Sequence, residues 1–485
     1  MNSRRALATA LVIFLVLTCA AQPADDLQQT TDRLASSVLL GPSMTTLREL
    51  TDGFGGRLTG SPAYQAAAEW AAAKFGSFGI HSVRLESFEI PNGWQRRWAH
   101  GEMVAPLVRP LHLESVGWTP STPEGGIQGE VVVIDDFSAD HIKAQAAQIN
   151  GHVVLLDTSK LFAQGVWKAL PVLSASYAYL KDAGALGILQ PDREKDNVLN
   201  AHDALWGAKM SPLPAFQLGL EDSKLIRRLL DARQSVSVKL EAQNKTSGAT
   251  AVNNVIAEIR GTEHPEEWIL IGAHLDSWDF GTGAQDNGAG AAMVLEAARA
   301  IAALGQPPRR SIRFALWGGE EQGLLGSFAY TQAHATELEK CVAVLNTDNG
   351  AGHPKGWKVE GRKDLMEAMA PISNTLLKAL SGDDLSMEVT YDTDHGPFLL
   401  KGVPAFDLEV DMSHYMEIHH KSSDTFDKVD ALNFKADAAV VAVTAYAIAE
   451  DARPIAPHLD HAAVGEILKK AGLDEFLKSV GVWNP

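Results

Sequence analysis

The sequence predicts an α/β protein with a mixed, mostly parallel sheet, helices on both faces, and a smaller inserted unit that shapes access to it. Three observations carry this. From about residue 246 onward, nearly continuous apolar strands alternate with helical segments, the pattern of strands buried on both faces. Between about 124 and 235, the runs "GEVVVIDDF", "GHVVLLDTS" and "GALGILQP" each open on glycine and are separated by helical stretches. The polar residues able to do chemistry stand where strands end, the place where open α/β sheets bind ligands.

Taken in order, "MNSRRALATALVIFLVLTCAAQPADD" has arginines, an apolar run and then small residues, the order of a secretory signal peptide over residues 1–21. The protein is therefore expected to be exported, periplasmic or secreted, from a bacterial host. Acylation at Cys19 and an uncleaved anchor are the alternatives. Residues 22–120 are expected to pack on, or contribute to, the main domain. They hold an alanine-rich helix in "SPAYQAAAEWAAAKFGSFG", preceded by the turn-rich "DGFGGRLTGSP", whose Arg57 is expected to be solvated, with contact to a ligand as the alternative. Residues 121–240 form the inserted domain and contain no metal-ligand cluster. In the main domain, residues 246–485, "NNVIAEIRG", "EWILIGAH", "RSIRFALWG" and "CVAVLNTDN" read as strands. "NGAGAAMVLEAARAIAAL", "LLGSFAYTQAH", "KDLMEAMAPISNTLLKAL" and "NFKADAAVVAVTAYAIAE" read as helices.

Composition narrows the function. Lys and Arg total 42 against 60 Asp and Glu, a formal charge of -18, which argues against nucleic acid or an anionic membrane as the main partner. Beyond the N-terminus no apolar stretch is expected to span a bilayer. The cysteines are Cys19 and Cys341. Once the leader is removed, Cys341 has no partner in the chain and is expected to be a buried small residue in a strand.

The strand ends carry His274 and Asp276 in "IGAHLDSWDF", Asp286 in "GTGAQDNGAG", Glu320 and Glu321 in "LWGGEEQG", and Asp348 in "LNTDNG". A later loop, "MEIHHKSSDTFD", carries His419, His420 and Asp424. Singly each has an ordinary reading: a satisfied polar histidine, or a helix cap at Asp286. Together they would place several carboxylates in mutual repulsion in one crevice, unless cations fill the space. Two zinc ions suit imidazole and carboxylate donors, and one aspartate can bridge a pair of metals roughly 3.5–4 Å apart.

Through "AHLDS", "DNGAG", "EEQGLLGS", "NTDNG", "TDHGPF" and "HHKSSDT", in that order, the chain resembles the zinc aminopeptidases of peptidase family M28. The resemblance implies a zinc aminopeptidase-like fold over about 250–450 and makes the strand-rich middle block similar to a protease-associated domain. It makes Asp286 the bridging ligand, His274 and Asp348 ligands of one zinc, and Glu321 and His420 ligands of the other. Glu320 takes the general base's place, Asp276 hydrogen-bonds the ligand His274, and His419 lines the site or packs behind it. His395, beside Asp394 in "TDHGPF", is a donor to the reacting carbonyl or else a structural histidine. The adjacent glutamates then divide the labour: one holds metal while the other takes a proton from the attacking water.

The implied activity is hydrolysis of dipeptides or short peptides with a free amino terminus, using two zinc ions per chain, with a homodimer left open. An aminopeptidase of broader specificity is the first alternative. A glutaminyl cyclase-like acyltransferase and a non-catalytic binding protein are the more distant ones.

Overall fold

The computed structural model describes residues 24–483, so the expected export segment 1–21 with Cys19 lies outside the described residues. Two eight-stranded sheets organise the chain. The first runs Ser82–Ile90, Thr250–Ile259, Arg310–Trp317, His264–His274, Cys341–Asn346, Ala405–Val410, Pro354–Lys358, Asp384–Ser386. Its four middle strands, from Arg310–Trp317 to Ala405–Val410, are parallel to one another. Antiparallel strands flank them on both sides. This is the mixed, mostly parallel sheet that the alternating pattern predicts.

The period of two explains why its central strands are apolar throughout. In His264–His274 the side chains of Ile269, Ile271 and Ala273 enter the large helix-covered core. Trp268 and Leu270 enter a smaller core on the opposite face with Trp317, Tyr330 and Phe398. Cys341 lies fully buried at the start of its strand in this second layer.

On the larger layer, helix Ala431–Glu450 packs against Ala24–Leu39 and Ala289–Ala303. By length and composition alone it could cross a membrane, contrary to the expectation that no later stretch would qualify. Its location gives the reason for its apolarity: most of its side chains are buried among other helices and the sheet. Asp437 on this helix is fully buried, and neither carboxylate oxygen has a hydrogen-bond partner among the described residues. Burial holds its pKa well above the ordinary carboxylate value. A carboxyl whose folded pKa is raised costs stability once pH exceeds its unfolded value, and the cost grows up to the folded pKa. Asp437→Asn is therefore expected to melt with the wild type near pH 4 and at a higher temperature near pH 8. Thermal unfolding across that range checks it; a constant difference would refute it.

The N-terminal segment is built into the same body. Ser82–Ile90 pairs antiparallel with Thr250–Ile259, and Leu34, Val38, Leu47 and Leu50 enter the main core.

The second sheet runs Arg109–Pro110, Trp94–Ala105, Ser237–Thr246, Ile127–Ile134, Val153–Leu156, Gly187–Pro191, Ala215–Leu218, Leu113–Ser115. The three glycine-opened runs lie adjacent in it and are parallel. Strand Trp94–Ala105, which precedes the middle block in sequence, pairs with Ser237–Thr246, so this sheet draws on the chain from residue 94. Between Gly187–Pro191 and Ala215–Leu218 a connection reaches over to the first sheet. The Asp192 carboxylate stiffens its base, accepting from the backbone N–H groups of Arg193, Glu194 and Asn200 and from the side-chain amides of Asn200 and Gln217. Beyond it, Asn200 bridges to Lys421, Ala201 N–H donates to the His420 carbonyl at 2.8 Å, and Gly207 N–H donates to the Gln322 carbonyl at 2.9 Å.

Candidate active site

Parallel strands in register bring the site together. His274, the last residue of its strand, pairs with Trp317, and Gly272 pairs with Asn346. Glu320 and Glu321 follow Trp317, and Asp348 follows Asn346, so all of them emerge at the C-terminal ends of neighbouring parallel strands. Asp286 comes from the bend Ala284–Gly288, ahead of helix Ala289–Ala303, and His420 from the turn after helix Ser413–Ile418.

Asp286 stands between the two histidines. Its Oδ1 is 3.2 Å from His274 Nε2 and its Oδ2 is 3.2 Å from His420 Nε2. His274 Nε2 also lies 3.0 Å from Asp348 Oδ1 and 3.9 Å from Glu320 Oε2. His420 Nε2 lies 3.0 Å from Glu321 Oε2. His419 stacks on His420 with ring centroids 3.7 Å apart and approaches Asp286 Oδ2 at 3.5 Å. It therefore borders the cluster, and burial together with the His420 charge pushes its pKa down to about 3.

The electrostatics are those of carboxylates packed together. Burial first, then neighbouring charge, pushes Glu321 and Asp348 up to about 7, and holds Glu320 well above its ordinary range. Burial also opposes the charged form of Asp286, but the two histidines bonded to it prevail and hold its pKa well below normal. Burial likewise opposes protonation of His420, yet Glu321 and Asp286 raise it to about 10. Glu321 Oε1 is buried without a hydrogen-bond partner among the described residues. A buried, unpartnered carboxylate oxygen inside such a cluster is where a cation gains most.

Around the cluster, other residues set backbone positions. His274 Nδ1 lies 2.9 Å from the Asp276 main-chain carbonyl, with the Asp276 carboxylate farther off at 3.6 Å. The carboxylate mainly serves elsewhere. It accepts from Thr59 Oγ1 at 2.6 Å and, at 3.4 Å, from the backbone N–H groups of both Glu320 and Glu321. Asp424 accepts from the backbone N–H groups of Ala284, Gln285 and Asp286, fixing the bend that presents Asp286.

Arg57 is fully buried, not solvated. Its guanidinium donates to the carbonyls of Leu275, Gly55, Thr282 and Gly283, tying the strand end after His274 to the bend before Asp286. A glycine-rich turn carrying arginine was visible in the sequence, but the four carbonyls awaiting it were not.

Of the two readings of His395, the geometry favours the structural one. Its Nδ1 meets Thr393 Oγ1 at 2.7 Å and its Nε2 meets the Thr390 carbonyl at 3.0 Å, with Glu360 Oε1 at 3.5 Å. Both nitrogens are thus occupied within its own loop, away from the carboxylate cluster. Burial opposes its charge, but Glu360 raises its pKa to about 9. The neighbouring Asp394 does turn inward: Ser327 donates to its Oδ1, its Oδ2 is buried and unpartnered among the described residues, and its charge acts on His274 and Glu320.

Residues 254–445 match the family model of peptidase family M28. This is a peptidase family M28 domain. Carboxypeptidase Q of Mus musculus is 29% identical to the chain over 410 residues, covering 83% of this chain and 84% of the mouse protein. Carboxypeptidase Q of Homo sapiens is 29% identical over 418 residues, covering 84% and 85%. The crystal structure of a peptidase M28 precursor from Shewanella amazonensis superposes with a TM-score of 0.77 at 29% identity, covering 90% of this chain and 99% of that one. A zinc aminopeptidase from Bacillus subtilis, 20% identical, shares the fold with a TM-score of 0.64 over 86% of this chain and 97% of its own. In the M28 domain described here, His274, Glu320 and Asp348 form one group whose ligand-type atoms all lie within 4.8 Å of one another. His274, Asp286 and Glu321 form a second, and Asp286, His419 and His420 a third. The donors are imidazole and carboxylate without thiol, a set that suits zinc and fits it at the unpartnered Glu321 oxygen.

Proposed function

We propose that the chain is a zinc exopeptidase that hydrolyses dipeptides or short peptides with a free amino terminus, with two metal ions per chain. One observation carries the reading: Asp286 directs one oxygen toward His274 and the other toward His420, as a carboxylate shared by two ions must. His274 and Asp348 would hold one zinc, Glu321 and His420 the other, and Asp286 both. Zinc, when bound, supplies Lewis-acid polarisation of the scissile carbonyl and acidifies water.

The chain's own residues do the rest. Glu320, beside Glu321 and with no hydrogen bond to its carboxylate among the described residues, accepts a proton from the attacking water and returns it to the leaving amine. Asp276 aims the two glutamates through their backbone N–H groups, while its carbonyl orients the His274 ring. His395 has no part in proton transfer. The names of the carboxypeptidase Q relatives and the zinc aminopeptidase support exopeptidase chemistry, and the signal-like N-terminus supports export.

Metal analysis of fully active protein is expected to return two zinc ions per chain, and unblocked dipeptides are expected to be cleaved at least tenfold faster than their N-acetyl forms. One tightly bound ion at full activity would overturn the dinuclear reading and favour a single-zinc acyltransferase. Equal rates on blocked and unblocked peptides would overturn the exopeptidase reading.

A further inference from the structure

We infer that Asp203, carried by the second sheet's long connection, binds the α-ammonium group of the substrate. The inference rests on the exopeptidase reading above and supplies what that reading lacks, a group on the chain that distinguishes a free amino terminus from a blocked one.

The placement comes from the backbone. Ala201 on one side of Asp203 is hydrogen-bonded to the carbonyl of His420, and Gly207 on the other to the carbonyl of Gln322, next to Glu321. Asp203 is thus held between two anchors, each at or next to a proposed metal ligand. A parallel bridge to Gly117 and the bond from Ala204 N–H to the Gly117 carbonyl fix its backbone from the other side. The connection approaches so closely that Gly323, at φ +112°, leaves no room for a Cβ beside the Trp206 indole.

The side chain is built for a cation it does not have. Asp203 Oδ2 is shielded from solvent and makes no hydrogen bond among the described residues. Its charge is felt by Glu321, His420 and Tyr177, and the Tyr177 hydroxyl is already committed to Gln190. Burial pushes its carboxyl up to about 8, and the charge of His420 offsets this only in part. An ammonium group reverses that balance by offering donors to a stranded acceptor and a charge that favours the carboxylate. An N-acylated terminus offers neither, and its acyl group would have to occupy the same space. An ammonium held at a fixed place beside the metal ligands selects a bond near the amino terminus.

The test compares wild type, Asp203→Asn and Asp203→Glu on the best unblocked dipeptide of a panel and on its N-acetyl form, with zinc content and thermal midpoint measured for each. Asp203→Asn is expected to raise KM for the free dipeptide tenfold or more, about 1.4 kcal/mol, with kcat changed less than threefold. Its kcat/KM for the N-acetyl form and its zinc content should stay at wild-type values. Asp203→Glu should recover part of the loss, and carries the comparison if the Asn variant does not fold. If both variants keep the wild-type ratio of free to blocked rates, or lose both activities equally, Asp203 is not the ammonium site. If wild type itself shows no preference for the free amino group, the exopeptidase reading falls and takes this inference with it.

Discussion

Glu320→Gln is expected to lower kcat by roughly 10²-fold or more while the protein keeps its fold and its zinc. Glutamine has the shape of glutamate but cannot accept the proton of the attacking water. Because the Glu320 carboxylate has no hydrogen-bond partner among the described residues and its approach to His274 Nε2 is 3.9 Å, the exchange removes basicity and little else. Glu321→Gln should behave oppositely. Its Oε2 meets His420 at 3.0 Å and its Oε1 is the buried unpartnered oxygen, so neutralising it removes a donor from the metal and weakens zinc binding. Zinc titration of both variants beside their kcat values separates the roles. If Glu320→Gln loses metal and Glu321→Gln keeps it, the two glutamates are assigned in the wrong order.

Arg57→Leu is expected to cost at least roughly 3 kcal/mol of stability, since each stranded buried acceptor costs about 1–3 kcal/mol and the contributions are not additive. The guanidinium serves the carbonyls of Leu275 and Gly283, which are buried, and those of Gly55 and Thr282, which are partly so. Burial lowers its pKa to about 10 while Asp424, Asp276, Asp286 and Glu321 pull it upward, so it also places positive charge behind the carboxylates. Leucine removes both the ties and the charge, and zinc affinity should fall with stability. Arg57→Lys keeps the charge but not the planar fork, and is expected to fall between the two. Urea unfolding with and without zinc measures this. An unchanged midpoint for Arg57→Leu would show that the turn holds without the guanidinium.

These residues mark what the sequence could and could not disclose. His274, Glu320, Glu321 and Asp348 were legible because they follow apolar runs that can only be buried strands, and parallel register turns neighbouring strand ends into neighbouring side chains. Asp286 and His420 come from connections, and their place near the others was readable only through the motif order of the M28 resemblance. His395 shows the limit of proximity in sequence: it adjoins Asp394, but the backbone turns Asp394 inward and sends the imidazole to Thr390 and Thr393. Arg57 and Asp424 act mainly through partners more than a hundred residues away, and no local pattern records such pairs. Helix Ala431–Glu450 is the reverse case, a strong local pattern that fits a bilayer or a protein core until its neighbours are known.

The bonds from Ala201 to His420 and from Gly207 to Gln322 carry a consequence for how this protein can be recombined. By sequence, residues 192–211 sit among the strands of the second sheet, and a chimera that exchanges that sheet with a relative's would treat them as part of the movable module. By hydrogen bonding they are tied to the turns that carry His420 and Glu321, so on the proposed function they border the active centre. Such a graft would transplant a strip bordering the active centre along with the sheet, and its substrate range should follow the donor of the graft rather than the donor of the zinc ligands. A seam cut at residues 199 and 208 instead would leave that strip with its native turns and test how much of the selectivity resides in it.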